Sequence, residues 1–317
     1  MTDHPLDPSA LASLGNLSLK ARYLAEGALT GLHRGRFHGS SVEFAEHKEY
    51  TPGDEVRHID WKAYGKFDRY YVKRYERETQ LTAYLCIDAS ASMGFAGAAT
   101  GGASGAAVSK LAYAVHMLAA LAYLLIGQRD RVGLVVFGDE RHTADNLPAR
   151  ARPDHAAELF KVLERVIERG AGGSAGPVQA LEALAERQQR QRSLIILASD
   201  LFGDDTGAMN VLRLLRARGH DPVVFHVLDP YELSLPYSGL TRFRALEDGR
   251  ELMVDPDQLR RQYKERLTAF LERIERACGD SGVEYHRIAT DTAIERALLE
   301  FSIVRNRLFR PRHSWAF

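Results

Sequence analysis

The sequence has few cysteines and no excess of charge of either sign. Cys86 and Cys278 are the only cysteines in 317 residues, so neither a disulfide framework nor a C-x-x-C metal or redox motif is present. A reducing compartment suits this composition. Lys plus Arg and Asp plus Glu each number 42, so the basic excess typical of a general nucleic-acid binder is missing. We therefore expect a cytoplasmic protein with no nucleic-acid partner.

Long apolar runs are also scarce. The most apolar stretch, residues 111–127, is interrupted by His116 and is short for a membrane span, so it is expected to be a core helix. The N-terminus MTDHPLDPSALASL has acidic residues where a signal peptide has basic ones, and no apolar segment follows it. The sequence predicts neither a secretion signal nor a membrane span.

Two common catalytic motifs are absent from the sequence. No G-x-x-x-x-G-K-[ST] loop is present to bind a nucleotide, and no G-x-S-x-G elbow is present to carry a serine nucleophile. We therefore expect no intrinsic ATPase or esterase activity.

What the sequence does contain, from residue 81 onward, is an alternation of buried strands and amphipathic helices. Near-continuous apolar runs such as LTAYLCID and SLIILASD are typical of strands buried on both faces. The alternation predicts an α/β fold with a doubly wound, mostly parallel sheet flanked by helices. The predicted strands are 81–88, 131–139, 193–200, 222–228 and 283–288, with a short strand at 141–147 and a β-hairpin insertion at 240–255; the predicted helices are 17–32, 108–127, 154–169, 176–190, 207–218, 256–278 and 292–306.

Oxygen-bearing side chains follow two of these strands. Asp88 ends the first strand and opens the pattern D-x-S-x-S with Ser90 and Ser92, and Asp200 ends another strand. The glycine-rich loop between them offers Ser174. Because ligands bind at the carboxyl ends of strands in such sheets, we expect these groups to converge. Two carboxylates and three hydroxyls suit Mg²⁺ or Mn²⁺ better than zinc. A simpler interpretation is that Asp and Ser here only cap helices.

DASASM, the GGS loop and ILASD, in this order, resemble the von Willebrand factor A domain and its metal-ion-dependent adhesion site. The resemblance covers about residues 79–305 and implies a Rossmann-like sheet. It also implies that Asp88, Ser90, Ser92, Ser174 and Asp200 hold the metal and that a carboxylate of a partner protein completes its coordination. The family usually has Thr where this chain has Ser174, which keeps the hydroxyl and loses a methyl group.

Residues 33–79 resemble the signature of the Domain of Unknown Function 58 family. The matching features are E-x-K-E-Y-x-P-G-D at 46–54 and R-x-I-D-W-K at 57–62. Members of that family place this segment directly before a von Willebrand-like domain and are typically encoded beside MoxR-type AAA+ ATPases. The resemblance implies a metal-dependent adaptor that acts with such an ATPase, or with its client, in remodelling or activation of the client.

Four regions follow from these patterns. They are a loose tail at 1–16, the signature segment at 17–79 packed on the core, the von Willebrand-like domain at 80–306 and a basic tail at 307–317. We expect residues 33–79 to pack against the sheet, because their aromatic residues form no periodic stripe long enough for a separate core.

Two alternatives stay open at this stage. Asp88 and Asp200 could serve a Mg²⁺-dependent phosphohydrolase, although Ser90 stands where such enzymes usually have a second carboxylate. Aromatic residues of the signature segment, Trp61 and Tyr64 among them, could bind the partner instead of packing on the domain.

Overall fold

The computed structural model describes residues 16–35, 47–49, 64–65, 69–73, 80–97, 108–139, 142, 145–188, 192–203 and 205–305. The chain divides into two compact units, Arg34–Gln80 on one side and Met1–His33 with Leu81–Phe317 on the other. The smaller unit contains the antiparallel pair of β1 (His47–Glu49) and β2 (Tyr71–Lys73), which the sequence did not predict.

The larger unit is built on a six-stranded sheet. Its strands are β3 (Thr82–Asp88), β4 (Arg131–Phe137), β5 (Leu147–Arg150), β6 (Leu194–Ser199), β7 (Asp221–Leu228) and β10 (Glu284–Ala289). They lie in the order β10-β7-β6-β3-β4-β5, and every neighbouring pair is parallel except β4 with the outer strand β5. The predicted mixed α/β fold with a mostly parallel central sheet is confirmed.

Alternate residues of each strand point to opposite sides of the sheet, and in the central strands both sets are apolar. Helices therefore cover both faces of the sheet. Leu85 and Ile87 of β3 lie in one apolar cluster, and Tyr84 and Cys86 lie in the other. The first cluster includes residues of α1 (Leu17–Gly35), α2 (Lys110–Gly127), α3 (Pro153–Arg169) and α8 (Ile294–Val304). The second includes residues of α4 (Pro177–Arg187), α5 (Asp205–Ala217) and α7 (Pro256–Ser281).

The helix α2 contains the apolar stretch singled out in the sequence. Among the described residues it is the one helix long and apolar enough to cross a membrane, and most of its side chains are buried inside the protein. Leu118 and Leu121, for example, are fully buried in the apolar cluster that also holds Val132 and Val136 of β4. The expected role as a core helix agrees with this burial.

The short strand expected at 141–147 was wrong in position, since the strand beside β4 is β5, at Leu147–Arg150. The cause lies in the two described polar residues that precede it. His142 and Asp145 are fully buried and bind each other, with His142 Nδ1 3.0 Å from Asp145 Oδ2. Neither His142 nor Asp145 lies in a strand, and β5 begins only at Leu147.

The insertion after β7 contains one element that the sequence did not predict. The short helix α6 (Pro230–Ser234) follows β7 directly and begins with a capping box formed by Asp229 and Glu232. The predicted hairpin follows as β8 (Thr241–Arg244) and β9 (Glu251–Val254), which pair with each other and not with the main sheet.

Candidate metal centre

The strand order places two predicted ligands at the point where the sheet changes direction. From β3 the chain adds β4 and β5 on one side, then returns to place β6 on the other side of β3. Asp88 is the last residue of β3, and Asp200 follows the last residue of β6. Because β3 and β6 are parallel neighbours, both carboxylates lie at the carboxyl edge of the sheet, where ligand sites form in this architecture.

The Asp88 carboxylate is almost fully buried and accepts hydrogen bonds at both oxygens. Its Oδ1 accepts the backbone N–H of Ser90 at 2.9 Å, and its Oδ2 accepts the hydroxyl of Ser199 at 2.5 Å. Burial, together with the negative charge of Asp200, raises the pKa of Asp88 to about 6 against these two hydrogen bonds. A cation bound beside this carboxylate would oppose both causes of the shift.

The serines of the D-x-S-x-S pattern lie next to each other. The Ser90 and Ser92 hydroxyl oxygens are 3.2 Å apart, at the start of a turn of 3₁₀-helix spanning Ala91–Gly94. The backbone just before this turn is held by β4, since the Ala89 N–H donates a hydrogen bond to Phe137 O at 2.7 Å. Two hydroxyls are therefore held beside the Asp88 carboxylate.

The glycine-rich loop docks on this turn through its backbone. Gly173 O accepts the N–H of Ala91 at 3.0 Å, and Gly172 N–H donates to Ala89 O at 2.8 Å. Gly173 has φ of +71°, and a Cβ there would collide with Gly138 O, so a side chain would force the loops apart. Ser174 is consequently held near the cluster by its neighbours, with its side chain exposed.

Asp200 differs from Asp88 because a buried cation already neutralises it. Lys110, the first residue of α2, is fully buried, and its Nζ lies 2.7 Å from Asp200 Oδ2. Asp200 Oδ1 accepts the N–H of Phe202 at 3.0 Å. Each carboxylate oxygen has two lone pairs, so Asp200 keeps acceptor capacity for a further ligand.

Lys110 also reaches the short helix α6. Its Nζ lies 2.6 Å from Glu232 Oε1, and burial raises the pKa of Glu232 despite this contact. The ring of Phe202 faces the same ammonium group, with its centroid 5.0 Å from Nζ. The predicted ligand Asp200 is thus one member of a buried charged group that joins α2, the edge of β6 and α6.

A histidine supports the backbone at Asp200. His226 of β7 is fully buried, and desolvation lowers its pKa to about 4, so the ring is neutral at pH 7. Its Nε2 lies 2.8 Å from Asp200 O, and its Nδ1 lies 2.8 Å from the Tyr285 hydroxyl. The Nε2–H of His226 donates to the Asp200 carbonyl and so holds the backbone of Asp200 in place.

Sequence reasoning missed Lys110, Ser199, His226 and Glu232. Two of them carried a signal, since a single Lys opens an otherwise apolar helix and a single His interrupts the apolar strand PVVFHVL. Ser199 and Glu232 gave no such signal, because their roles depend on which strand ends become neighbours.

The residues present suit a hard divalent cation. Two carboxylates and the hydroxyls of Ser90 and Ser92 lie at one edge of the sheet, and oxygen ligands are what Mg²⁺ and Mn²⁺ prefer. Within the described residues no three His, Cys, Asp or Glu side chains gather in a way that could hold a metal. A metal at this edge would therefore depend on hydroxyl ligands as well as carboxylates.

The two candidate partner-binding aromatics lie in the smaller unit. Tyr64 stacks on Tyr70 with ring centroids 4.5 Å apart, and Trp61 lies outside the described residues. Most of residues 33–79 also lie outside them, so the expected packing of this segment against the sheet stays a prediction.

Comparison with known proteins identifies the family. The model of a family described as "Protein of unknown function DUF58" matches residues 46–272. The chain belongs to the DUF58 family. Two relatives with similar sequences are uncharacterized protein Rv1480 of Mycobacterium tuberculosis and uncharacterized protein Mb1516 of Mycobacterium bovis. Each is 28% identical over 303 residues, which cover 95% of this chain and 91% of the relative.

Two solved structures resemble parts of this DUF58 protein. One is the conserved hypothetical protein BatB from Bacteroides thetaiotaomicron, with a TM-score of 0.42 and 19% identity over 71% of this chain and 99% of that chain. The other is an aerotolerance-related membrane protein from Bacteroides fragilis, with a TM-score of 0.42 and 18% identity over 69% of this chain and 97% of that chain.

The buried ion pair gives a first prediction. Replacing Lys110 with Met leaves the buried Asp200 carboxylate without its cation, so the free energy of unfolding should fall by about 3–5 kcal/mol. Urea unfolding at pH 7 in EDTA measures the change. Lys264→Met, at an exposed position of α7, is the matched control and should cost under about 0.5 kcal/mol. Equal losses in the two variants would contradict the assigned role of Lys110.

The raised pKa of Asp88 gives a second prediction. Between its ordinary value of 3.8 and about 6, the folded protein holds a proton that the unfolded chain has released. The resulting stabilisation is present below pH 3.8 and is lost as the pH rises through about 6. Asp88→Asn lacks this loss, so its stability relative to wild type should rise by about 1–3 kcal/mol between pH 4 and pH 7 in EDTA.

Thermal or urea unfolding across this pH range measures that difference. Asp248→Asn, at the exposed hairpin turn, serves as the control and should follow the wild-type profile. A constant difference between Asp88→Asn and wild type at every pH would show that the Asp88 carboxyl is not the group responsible.

Proposed function

We propose that this DUF58 protein is a non-enzymatic adaptor whose von Willebrand factor A-like domain binds another protein through a divalent metal ion. The observation that carries the proposal is the placement of Asp88 and Asp200 at the carboxyl edge of the neighbouring strands β3 and β6, with Ser90 and Ser92 directly after Asp88. This edge is where the strand order reverses and where α/β sheets bind ligands.

Asp88, Ser90 and Ser92 would hold the metal most directly, with Ser174 and Asp200 completing the set of protein oxygens. Bound Mg²⁺ or Mn²⁺ would supply positive charge and a coordination position for an Asp or Glu of the partner. Lys110 already neutralises part of the charge of Asp200, so the cluster has less negative charge to offer a metal than two free carboxylates would. We therefore expect weak metal binding, strengthened when the partner adds its own carboxylate.

The partner that the family resemblance favours is a MoxR-type AAA+ ATPase or its client. The absence of a nucleotide-binding loop from this sequence agrees with a division of labour in which the partner hydrolyses ATP. Two buried, free thiols at Cys86 and Cys278 suit a reducing compartment, and we place the protein in the cytoplasm on that ground.

The absence of enzymatic activity is part of the proposal. A phosphohydrolase acting through Asp88 would use this carboxylate as its nucleophile and would usually have a second carboxylate two residues later. Ser90 supplies a hydroxyl at that position, which suits metal binding better than this chemistry.

Calorimetry with MgCl₂ and MnCl₂ tests the metal site. Wild type should show saturable binding, which Asp88→Ala and Ser92→Ala should abolish because each removes an oxygen ligand. Ser281→Ala, at the end of α7, is the control and should bind as wild type does. Equal heats for wild type and Asp88→Ala would refute the metal site.

Partner binding needs a separate test. A pull-down from the native organism should enrich an AAA+ ATPase with Mg²⁺ and lose it with chelator. Ser90→Ala should abolish this capture, and a cooperative unfolding transition in chelator should show that the variant is still folded. If Ser90→Ala captures the ATPase normally while Trp61→Ala or Tyr64→Ala does not, the signature segment is the interface and the metal-docking proposal is wrong.

A further inference from the structure

A second surface, independent of the metal cluster, lies between the β8–β9 hairpin and the helix α7. It is a groove of about 290 Å³. Phe243 and Val254 of the hairpin line one wall, and Leu259, Tyr263 and Arg266 of α7 line the other. Most of this lining is apolar. Because removing apolar surface from water is favourable, a partner that covers the groove would gain binding free energy.

Two exposed leucines lie at this groove. Leu252, which pairs with Phe243 across the hairpin, is 62% exposed, and Leu259 on the groove wall is 41% exposed. Exposed apolar side chains on one face of a folded domain mark interaction sites in many proteins. The hairpin pairs with no strand of the main sheet among the described residues, so burial within the sheet does not explain these side chains.

Among the described residues that line the groove, Arg266 is the one charged side chain. Leu259, Tyr263 and Arg266 are spaced by four and three residues and so share one face of α7. Other arginines nearby are paired, such as Arg242 with Glu251 and Arg260 with Asp257. Within the described part of the chain Arg266 has neither an ion pair nor a hydrogen bond, so its guanidinium is available to a carboxylate from outside.

We propose that this groove docks an amphipathic helix of a partner protein, with bulky apolar residues on one face and an acidic residue placed to meet Arg266. The wall from Leu259 to Arg266 is about 10 Å long, which matches two turns of a helix. One other occupant fits the charges less well, because the basic C-terminal segment RNRLFRPRHSWAF would bring arginines to Arg266.

The groove also touches the helix that contacts the metal cluster. The Tyr263 hydroxyl donates to Glu232 O of α6 at 2.7 Å, and the Glu232 carboxylate binds Lys110. The docking proposal does not require a metal, and its test is run without one.

The test uses three fluorescein-labelled helical peptides of about 14 residues, measured by fluorescence anisotropy in EDTA. The first has Leu at spacings of three and four with Glu on the flanks, the second has Lys in place of Glu, and the third has the composition of the first without its apolar stripe. The Glu peptide should bind saturably and more tightly than the other two. Chelator removes any contribution from the metal cluster, so failure here is distinct from failure of the metal-dependent function.

Two groove variants and two controls complete the design. Leu259→Asp and Arg266→Glu should each weaken binding of the Glu peptide at least about tenfold, because central apolar and arginine contacts dominate such interfaces. Arg266→Glu should in turn bind the Lys peptide more tightly than wild type does. Leu214→Asp on α5, 43% exposed in the wild type, and Lys264→Glu on α7 should stay within about twofold of wild type.

All four substitutions lie at exposed positions, and unfolding curves check that each variant is folded. Absence of saturable binding by the Glu peptide, or equal binding by the Lys peptide, would overturn the proposal. Sedimentation of wild type that shows self-association lost in Leu259→Asp would also overturn it, since a second copy of the chain would then cover the groove.

Discussion

Two carboxylates buried at neighbouring strand ends set the main constraint on this fold. Asp88 and Asp200 are at most 3% exposed, and two like charges removed from water destabilise a protein unless other groups compensate them. The compensation comes from different parts of the chain: Ser199 of β6 for Asp88, and Lys110 of α2 for Asp200. The start of α2, the ends of β3 and β6 and the helix α6 are therefore held together by charge as well as by apolar packing.

The loops over this edge are held by a second requirement, close approach of backbone to backbone. Gly138 and Gly173 both have positive φ, and a Cβ at either would strike the neighbouring loop. Their lack of side chains lets the segments around Ala89 and Gly172 exchange hydrogen bonds directly. The position of the Ser90 and Ser92 hydroxyls thus depends on glycines in the two neighbouring loops.

Sequence periodicity predicted the main sheet well because its central strands are buried on both faces. The strand expected at 81–88 is Thr82–Asp88, and the one expected at 193–200 is Leu194–Ser199. Short elements such as α6 have too few residues to show a period, and periodicity predicted neither it nor the β1–β2 pair. Asp88 and Asp200 lie at the same edge of the sheet, as their places at strand ends predicted.

The Lys110 contact could not be foreseen in the same way. Lys110 binds Asp200, which lies 90 positions further along the sequence, and Glu232, which lies 122 positions further along. These residues become neighbours only through the strand order of the sheet. Local pattern carries no information on which of several carboxylates a buried lysine meets. The sequence therefore predicted which groups lie at the edge of the sheet. Which cation neutralises them could be read only from the structure.

The outer strand β5 has a consequence for how these molecules behave at high concentration. Pro148 is exposed in this strand and has no N–H, and the pairing of β5 with β4 shifts register between Val132 and Leu134. An edge strand with a proline and an irregular ladder is a poor template for a strand from another molecule. At this side the sheet resists growth into intermolecular β-aggregates.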